Sequence, residues 1–89
     1  MQYEQVTELV TKVIDGDTFE TANRTVRLEG VDTPEKGDPD FDAATNALRS
    51  LVGGEIVSIE VVGRSYGRVV AQVWVNGRSV NDIMRLYNK

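Results

Sequence analysis

The sequence contains no cysteine and no histidine, and it is poor in proline and aromatic residues. Without cysteine there is no disulfide framework, no thiolate nucleophile and no zinc–thiolate site. Without histidine there is no His-assisted Ser or Cys triad, no imidazole general base, and none of the zinc sites that depend on imidazole. Acid–base or metal chemistry therefore falls to carboxylates. No apolar run is long enough to span a membrane, and the polar start Met1-Gln2-Tyr3-Glu4-Gln5 is not a signal peptide. A soluble chain without a membrane partner is expected, and export through an upstream signal already removed stays open. With 89 residues, the whole chain (1–89) is expected to form one domain, near the lower end of what a single core supports without a staple.

Basic surface is also scarce. The formal net charge is -4, which argues at first against a polyanionic partner. Position matters more than the sum. From Asp15 to Asp42 nine acids face three basic residues, whereas from Ala43 to Lys89 six basic residues face three acids. The acid is concentrated in one stretch, which is either a solvated acidic surface or a cation site.

The pattern of residues predicts a mainly β chain. Gln5 to Ile14, rich in Val and Thr, reads as a strand; Asp15-Gly16-Asp17 supplies a turn into a second strand at Thr18–Thr21. Asn23-Arg24 connects to a third strand from Thr25 to Val31, in which Val26 and Leu28 alternate with Arg27 and Glu29. Thr33-Pro34 ends extended structure, and Lys36 to Asp40 is a loop. Phe41, Ala44, Ala47, Leu48, Leu51 and Val52 fall at helical spacing, with Asp40 as the expected cap and Gly53-Gly54 as the stop. A fourth strand at Glu55–Val62, a loop from Gly63 to Gly67 and a fifth strand at Arg68–Val75 follow. Asn76-Gly77 is a hairpin signal, and Asn81 is expected to cap a short terminal helix. Three strands, a helix and two strands are the order of a five-stranded OB-type Greek-key barrel with a helix between strands three and four and a short C-terminal helix.

Fold alone assigns no function, so the side chains decide. Asp15 and Asp17 stand two apart at a turn, where alternate residues project to one side. Taken alone, Asp-Gly-Asp is also an ordinary hairpin turn. It is not an EF-hand loop, because Phe19 and Glu20 stand where further ligands are needed. Asp32, Thr33, Pro34 and Glu35 read either as the opening of a helix or as a second acidic cluster, and Lys36-Gly37-Asp38-Pro39 does not continue a helix. If the turn brings Asp32 and Glu35 toward Asp17, a hard oxygen site for calcium or magnesium results. Arg27 and Arg68 are each an ordinary surface arginine when read singly. With the acids they are a sufficient kit for phosphodiester hydrolysis, because guanidinium groups match phosphate oxygens bidentately.

Val13-Ile14-Asp15-Gly16-Asp17-Thr18, Val26-Arg27-Leu28 with Val31-Asp32-Thr33-Pro34-Glu35, Tyr66-Gly67-Arg68, and Val75-Asn76-Gly77 with Val80-Asn81 occur in that order. Together, over roughly Val6 to Leu86, they resemble the staphylococcal nuclease (thermonuclease) family, whose fold is an OB-type barrel with helices. The resemblance implies calcium-dependent endonuclease action on DNA and RNA, with products ending in a 3'-phosphate and single-stranded DNA or RNA as the expected substrate partner. It implies calcium held by the side chains of Asp17 and Asp32 and the backbone carbonyl of Thr33, with Asp15 supporting them from behind. It assigns Glu35 to the family's proposed general base, acting through water or orienting it. It assigns Arg27 and Arg68 to the scissile phosphate and the charge that grows on it, and Tyr66 to the bound nucleotide; packing of Tyr66 beneath its loop is the other account of that residue.

The sequence also departs from the family pattern. Arg64 stands where an acidic residue commonly opens the Tyr-Gly-Arg loop, and Lys36 to Asp40 is short and acidic where relatives often carry lysines. Relatives usually continue past the Val80-Asn81 helix with another helix and tyrosines that line the nucleoside pocket, so this is a short form. Weak substrate binding is expected, since base stacking on an aromatic contributes about 1–3 kcal/mol. So is a homo-oligomer or another partner over apolar surface left uncovered. The alternative to a nuclease is a catalytically weak or inactive OB-fold module that binds nucleic acid or protein. An oligosaccharide binder would carry more aromatics than Trp74, Tyr66 and few others.

Overall fold

A computed structural model describes residues 4–89; Met1 to Tyr3, which open the polar start, lie outside the described residues. The strands are β1 (Glu4–Asp15), β2 (Thr18–Thr21), β3 (Thr25–Leu28), β4 (Ile56–Ser65), β5 (Arg68–Val75) and a two-residue β6 (Arg78–Ser79); the helices are α1 (Phe41–Val52) and α2 (Val80–Met84), followed by a 3-10 turn (Arg85–Tyr87). The strand order is β3-β2-β1-β4-β5-β6, and a parallel pairing of β3 with β5 closes five strands into a barrel of mixed sense. This is the OB-type architecture read from the element order, with β6 as a short addition.

β1 is long because it serves two partners. Glu4–Leu9 pair with β4, and Val10–Asp15 pair with β2 across register shifts that let the strand bend. Inward positions alternate along the strands, so Val10, Phe19, Val26, Leu28, Ile59 and Val73 fill the interior. Ala44, Leu48 and Val52 of α1, at helical spacing, and Met84 of α2 are fully buried beside them.

Four local expectations are corrected. β3 ends at Leu28, not Val31, because Gly30 takes φ +75° and turns the chain. The turn in the loop expected over Gly63–Gly67 narrows to Tyr66-Gly67: β4 runs to Ser65, and both turn residues have positive φ, as at Asn76-Gly77. Asp40 makes no side-chain cap; the Ala44 N–H donates to the Asp40 carbonyl instead. The cap of α2 is Ser79, whose hydroxyl oxygen accepts from the Asp82 N–H. Asn81 is fully buried: its Oδ1 accepts from the Val73 N–H, and its Nδ2 donates to the carbonyls of Glu29 and Ala71. It binds α2 to β5 and to the turn after β3.

A polar cluster fills the barrel end away from the Asp15–Asp17 turn. Glu8 accepts from Thr21 Oγ1 (2.8 Å), Asn23 Nδ2 (3.0 Å) and Arg24 Nε (3.1 Å), and its side chain is only 10% exposed. Burial alone would raise its pKa, but these donors and the Arg24 charge outweigh it and hold the carboxyl below its ordinary 4.5. The folded state thus gains stability above that value and loses it as pH falls through the depressed folded pKa. The unfolding free energies of the wild type and Glu8→Gln, from urea titration, should differ at pH 6 by about 1.5–3 kcal/mol, the range for hydrogen bonds to a charged group. The gap should close on acidification below pH 4.5; one that is unchanged at pH 3 contradicts the assignment.

Candidate active site

The site begins at the turn between β1 and β2. Asp15 Oδ1 accepts from the Asp17 N–H at 3.1 Å, which closes the turn over Gly16. Gly16 is buried so tightly that a Cβ there would lie 2.6 Å from Thr33 Oγ1 and 2.8 Å from the Ala44 Cβ. Absence of a side chain is what lets the turn lie against both α1 and the loop that follows β3.

Asp17, 8% exposed, is the hub. Its Oδ1 accepts from Thr18 Oγ1 at 2.9 Å, and its Oδ2 accepts from the Thr33 N–H at 3.2 Å and Thr33 Oγ1 at 3.4 Å. Arg27 Nη1 lies 3.1 Å from the same Oδ2. The Asp17 carbonyl also accepts from the Leu28 N–H, so the turn is fixed to β3 from both sides. Burial, and then the neighbouring Asp17 carboxylate, push the Asp15 carboxyl up to about 6, against the lowering effect of the Asp17 N–H.

Arg27 draws the second acidic cluster inward. Its Nη1 donates to the Val31 carbonyl and its Nη2 lies 3.8 Å from Asp32 Oδ1. One guanidinium thus faces the carboxylates of both Asp17 and Asp32. Thr33 is buried beside them at 2% exposure, while the side chains of Asp32 and Glu35 reach solvent. Glu35 is placed differently: its Oε1 lies 3.6 Å from Lys89 Nζ, and its N–H donates to Asp38 Oδ2.

Arg68 opens β5. The β3–β5 register places Arg27 beside Val70, so Arg68, two residues earlier on β5, projects from the same outward face. Among the described residues no hydrogen bond or ion pair engages its guanidinium. Tyr66 precedes it in the turn, at φ +53° and 95% exposed. Packing beneath the loop does not account for this tyrosine; its ring is open to solvent.

Five of the residues singled out from sequence, Asp15, Asp17, Arg27, Asp32 and Thr33, therefore meet. Arg68 and Tyr66 stand on the adjoining strand and turn, and Glu35 lies outward of the cluster. Among the described residues no three carboxylates converge as a ready metal cluster. The donors nonetheless suit a hard cation: two carboxylates already face one positive centre, with oxygens and backbone carbonyls close by. Sequence reading missed three contributors. Thr18 follows Asp17 directly, which was a usable signal for its hydroxyl; Gly16 gave a turn signal but not its close approach to Thr33; and Asn88, described below, gave none.

A small OB-type barrel with carboxylates gathered around an arginine at its closing strands defines a class of compact domain with a polar, charged site. Residues 25–85 match the family described as staphylococcal nuclease homologue, and the chain belongs to that family. It is 36% identical over 81 residues to a protein of Escherichia coli described as an uncharacterized endonuclease, covering 84% of this chain and 53% of that one. It is 35% identical over 86 residues to the thermonuclease of Staphylococcus intermedius, covering 82% of this chain and 51% of that one. A staphylococcal-like nuclease of Arabidopsis thaliana is 33% identical over 60 residues, which cover 66% of this chain and 19% of that protein. The chain thus spans about half the length of the bacterial relatives it matches.

Proposed function

We propose that the chain is a calcium-dependent endonuclease that hydrolyses phosphodiester bonds of single-stranded DNA or RNA and leaves 3'-phosphate ends. The observation that carries this reading is the convergence of Asp17 and Asp32 on the Arg27 guanidinium. Family membership, with relatives named as nucleases, supports it. Asp17, Asp32 and the Thr33 carbonyl would hold the cation, with Asp15 fixing the Asp17 backbone behind them. Bound calcium supplies positive charge to the phosphate oxygens and to a nearby water.

The chain's own residues carry the remaining work. Glu35 takes a proton from, or orients, the water that attacks phosphorus; the bond to the 5' oxygen breaks as the new P–O bond forms. Arg27 and Arg68 bind the phosphate oxygens, where fixed donors are most effective as charge builds in the transition state. Arg68 also hydrogen-bonds the departing oxygen. Tyr66 offers an exposed ring on which a base stacks. The apolar surface at the 3-10 turn, where Leu86 is 83% exposed, suits a second copy or another covering partner.

A specific observation favours the second reading, a binding module with little turnover: Glu35 is paired with Lys89 and no third carboxylate joins Asp17 and Asp32 among the described residues. Single-stranded DNA incubated with and without calcium separates the two. The wild type is expected to cut only with calcium, and Glu35→Gln to cut roughly 100- to 10,000-fold more slowly, the range for a general base, while still binding DNA. If both proteins bind and neither cuts, the module reading stands. If the variant cuts at the wild-type rate, Glu35 has no catalytic part.

A further inference from the structure

The loop that carries Asp32 is held at two points from within. The Val31 carbonyl is bound by Arg27, and the Thr33 N–H by Asp17. Asp32 lies between these anchors; each holds one edge of a planar peptide unit that flanks it and leaves the opposite edge, the Asp32 N–H or the Asp32 carbonyl, without a partner from within. Both are instead satisfied from the far end of the chain. The Asp32 N–H donates to Asn88 Oδ1 at 2.8 Å, and the Asp32 carbonyl accepts from the Lys89 N–H at 3.0 Å. Asn88 Nδ2 reaches the Gly30 carbonyl at 3.4 Å. One amide side chain therefore spans the loop, accepting at Asp32 and donating at Gly30, a pairing for which a carboxamide has both groups and a carboxylate does not.

Asn88 is itself anchored. Its N–H donates to the Arg85 carbonyl at 3.1 Å, which closes the 3-10 turn, and that turn continues from α2, whose Met84 is fully buried. A continuous path of packed and hydrogen-bonded groups thus runs from the barrel interior through α2 to Asn88 and out to Asp32. We propose that Asn88 is a positioning residue that fixes the Asp32 backbone, and through it the direction of the Asp32 carboxylate toward the Arg27 guanidinium that Asp17 also faces. The proposal rests on the reading that Asp32 and Asp17 share a calcium ion. Groups that orient a metal ligand from behind typically change metal affinity by 10- to 100-fold when removed. The Lys89–Glu35 ion pair, between exposed side chains, is too solvated to do the same work.

Calcium titration calorimetry on the 89-residue chain and its Asn88→Ala and Asp17→Asn variants tests this. The expected result for Asn88→Ala is roughly 10-fold weaker calcium binding and a metal-free Asp32 amide that exchanges faster with solvent. The calcium concentration for half-maximal cleavage should rise in proportion, while KM for DNA at saturating calcium stays put. A merely structural role would reduce the folded fraction without moving that calcium midpoint. Should Asn88→Ala fail to fold, Lys89→Pro removes the other hydrogen bond to Asp32; Asn88 at ψ +139° already has the extended conformation that precedes proline. The same weakening is expected. Unchanged calcium affinity in the Asn88 variant, with affinity lost in Asp17→Asn, overturns the positioning role alone. Wild type that takes up no calcium overturns the shared-ion reading and the positioning role with it.

Discussion

Asp17→Asn is expected to abolish measurable calcium uptake and to lower cleavage of single-stranded DNA by at least about 100-fold, more than loss of a merely supporting group would cause. The reason is that, among the described residues, Asp17 is the one acid of the site that is buried and that touches Thr18, Thr33 and Arg27 together. Its Oδ2 faces Arg27 and Thr33, and its Oδ1 holds Thr18. An asparagine keeps one acceptor but puts an NH2 where Oδ2 now meets three donors, or turns the same group on Thr18. The fold should survive, because two electrostatic effects oppose. Arg27 loses its closest carboxylate, but Asp15 is relieved of the neighbour that, with burial, pushes it up to about 6. Calorimetry and a cleavage assay on the folded variant read this directly, and calcium affinity equal to that of the wild type would remove Asp17 from the metal site.

Gly16→Ala should damage both the fold and the reaction. The added methyl would meet Thr33 Oγ1 at 2.6 Å and the Ala44 Cβ at 2.8 Å. Ala44 is fully buried on α1, so the strain is shared between the helix and the Thr33 loop. Overpacking of this kind costs about 1–3 kcal/mol, which for a chain of this size lowers the melting temperature by several degrees or more. Displacement of Thr33 carries Asp32 and Glu35 with it, and a shift of about 1 Å in a reacting group can lower the rate roughly 100-fold. The combination distinguishes a site built against the turn from one that is independent of it. Thermal unfolding together with cleavage measured well below the midpoint would show both losses; a variant as stable and as active as the wild type would mean that the turn tolerates a side chain.

Most of the barrel could be read along the chain because its signals are local. Val26 and Leu28 alternate with charged neighbours, α1 shows its apolar stripe, and Asn76-Gly77 announces its hairpin. The errors have local causes too. Tyr66 has a side chain that disfavours positive φ, so nothing in its identity marked it as the first residue of a tight turn. Asn81 carries the residue type of a cap but is drawn into the interior by three backbone partners, leaving capping to Ser79. Gly30 looked like part of a strand, although its conformation ends one. At the candidate site, the residues themselves brought out Asp17, Asp32 and Arg27, and Thr33 came with the family resemblance. The Asn88 contact was hidden because it joins residues far apart in sequence, and no residue near Asn88 suggests a destination. The position of Glu35 against Lys89 was hidden for the same reason.

The parallel closure of β3 on β5 also bears on how the protein reaches its working form. Arg27 and Arg68 are separated by roughly forty residues, a span whose closure carries an entropic cost that hairpins avoid. The hairpins β1–β2 and β4–β5 and the helix α1 make their contacts over much shorter stretches, and long-range pairings of this kind slow folding. During refolding, the two arginines become neighbours only when this seam shuts. A chain that is already compact but still open along the seam has Arg27 and the acids on one piece and Arg68 on the other, so in a stopped-flow experiment recovery of the phosphate-binding face should trail recovery of secondary structure.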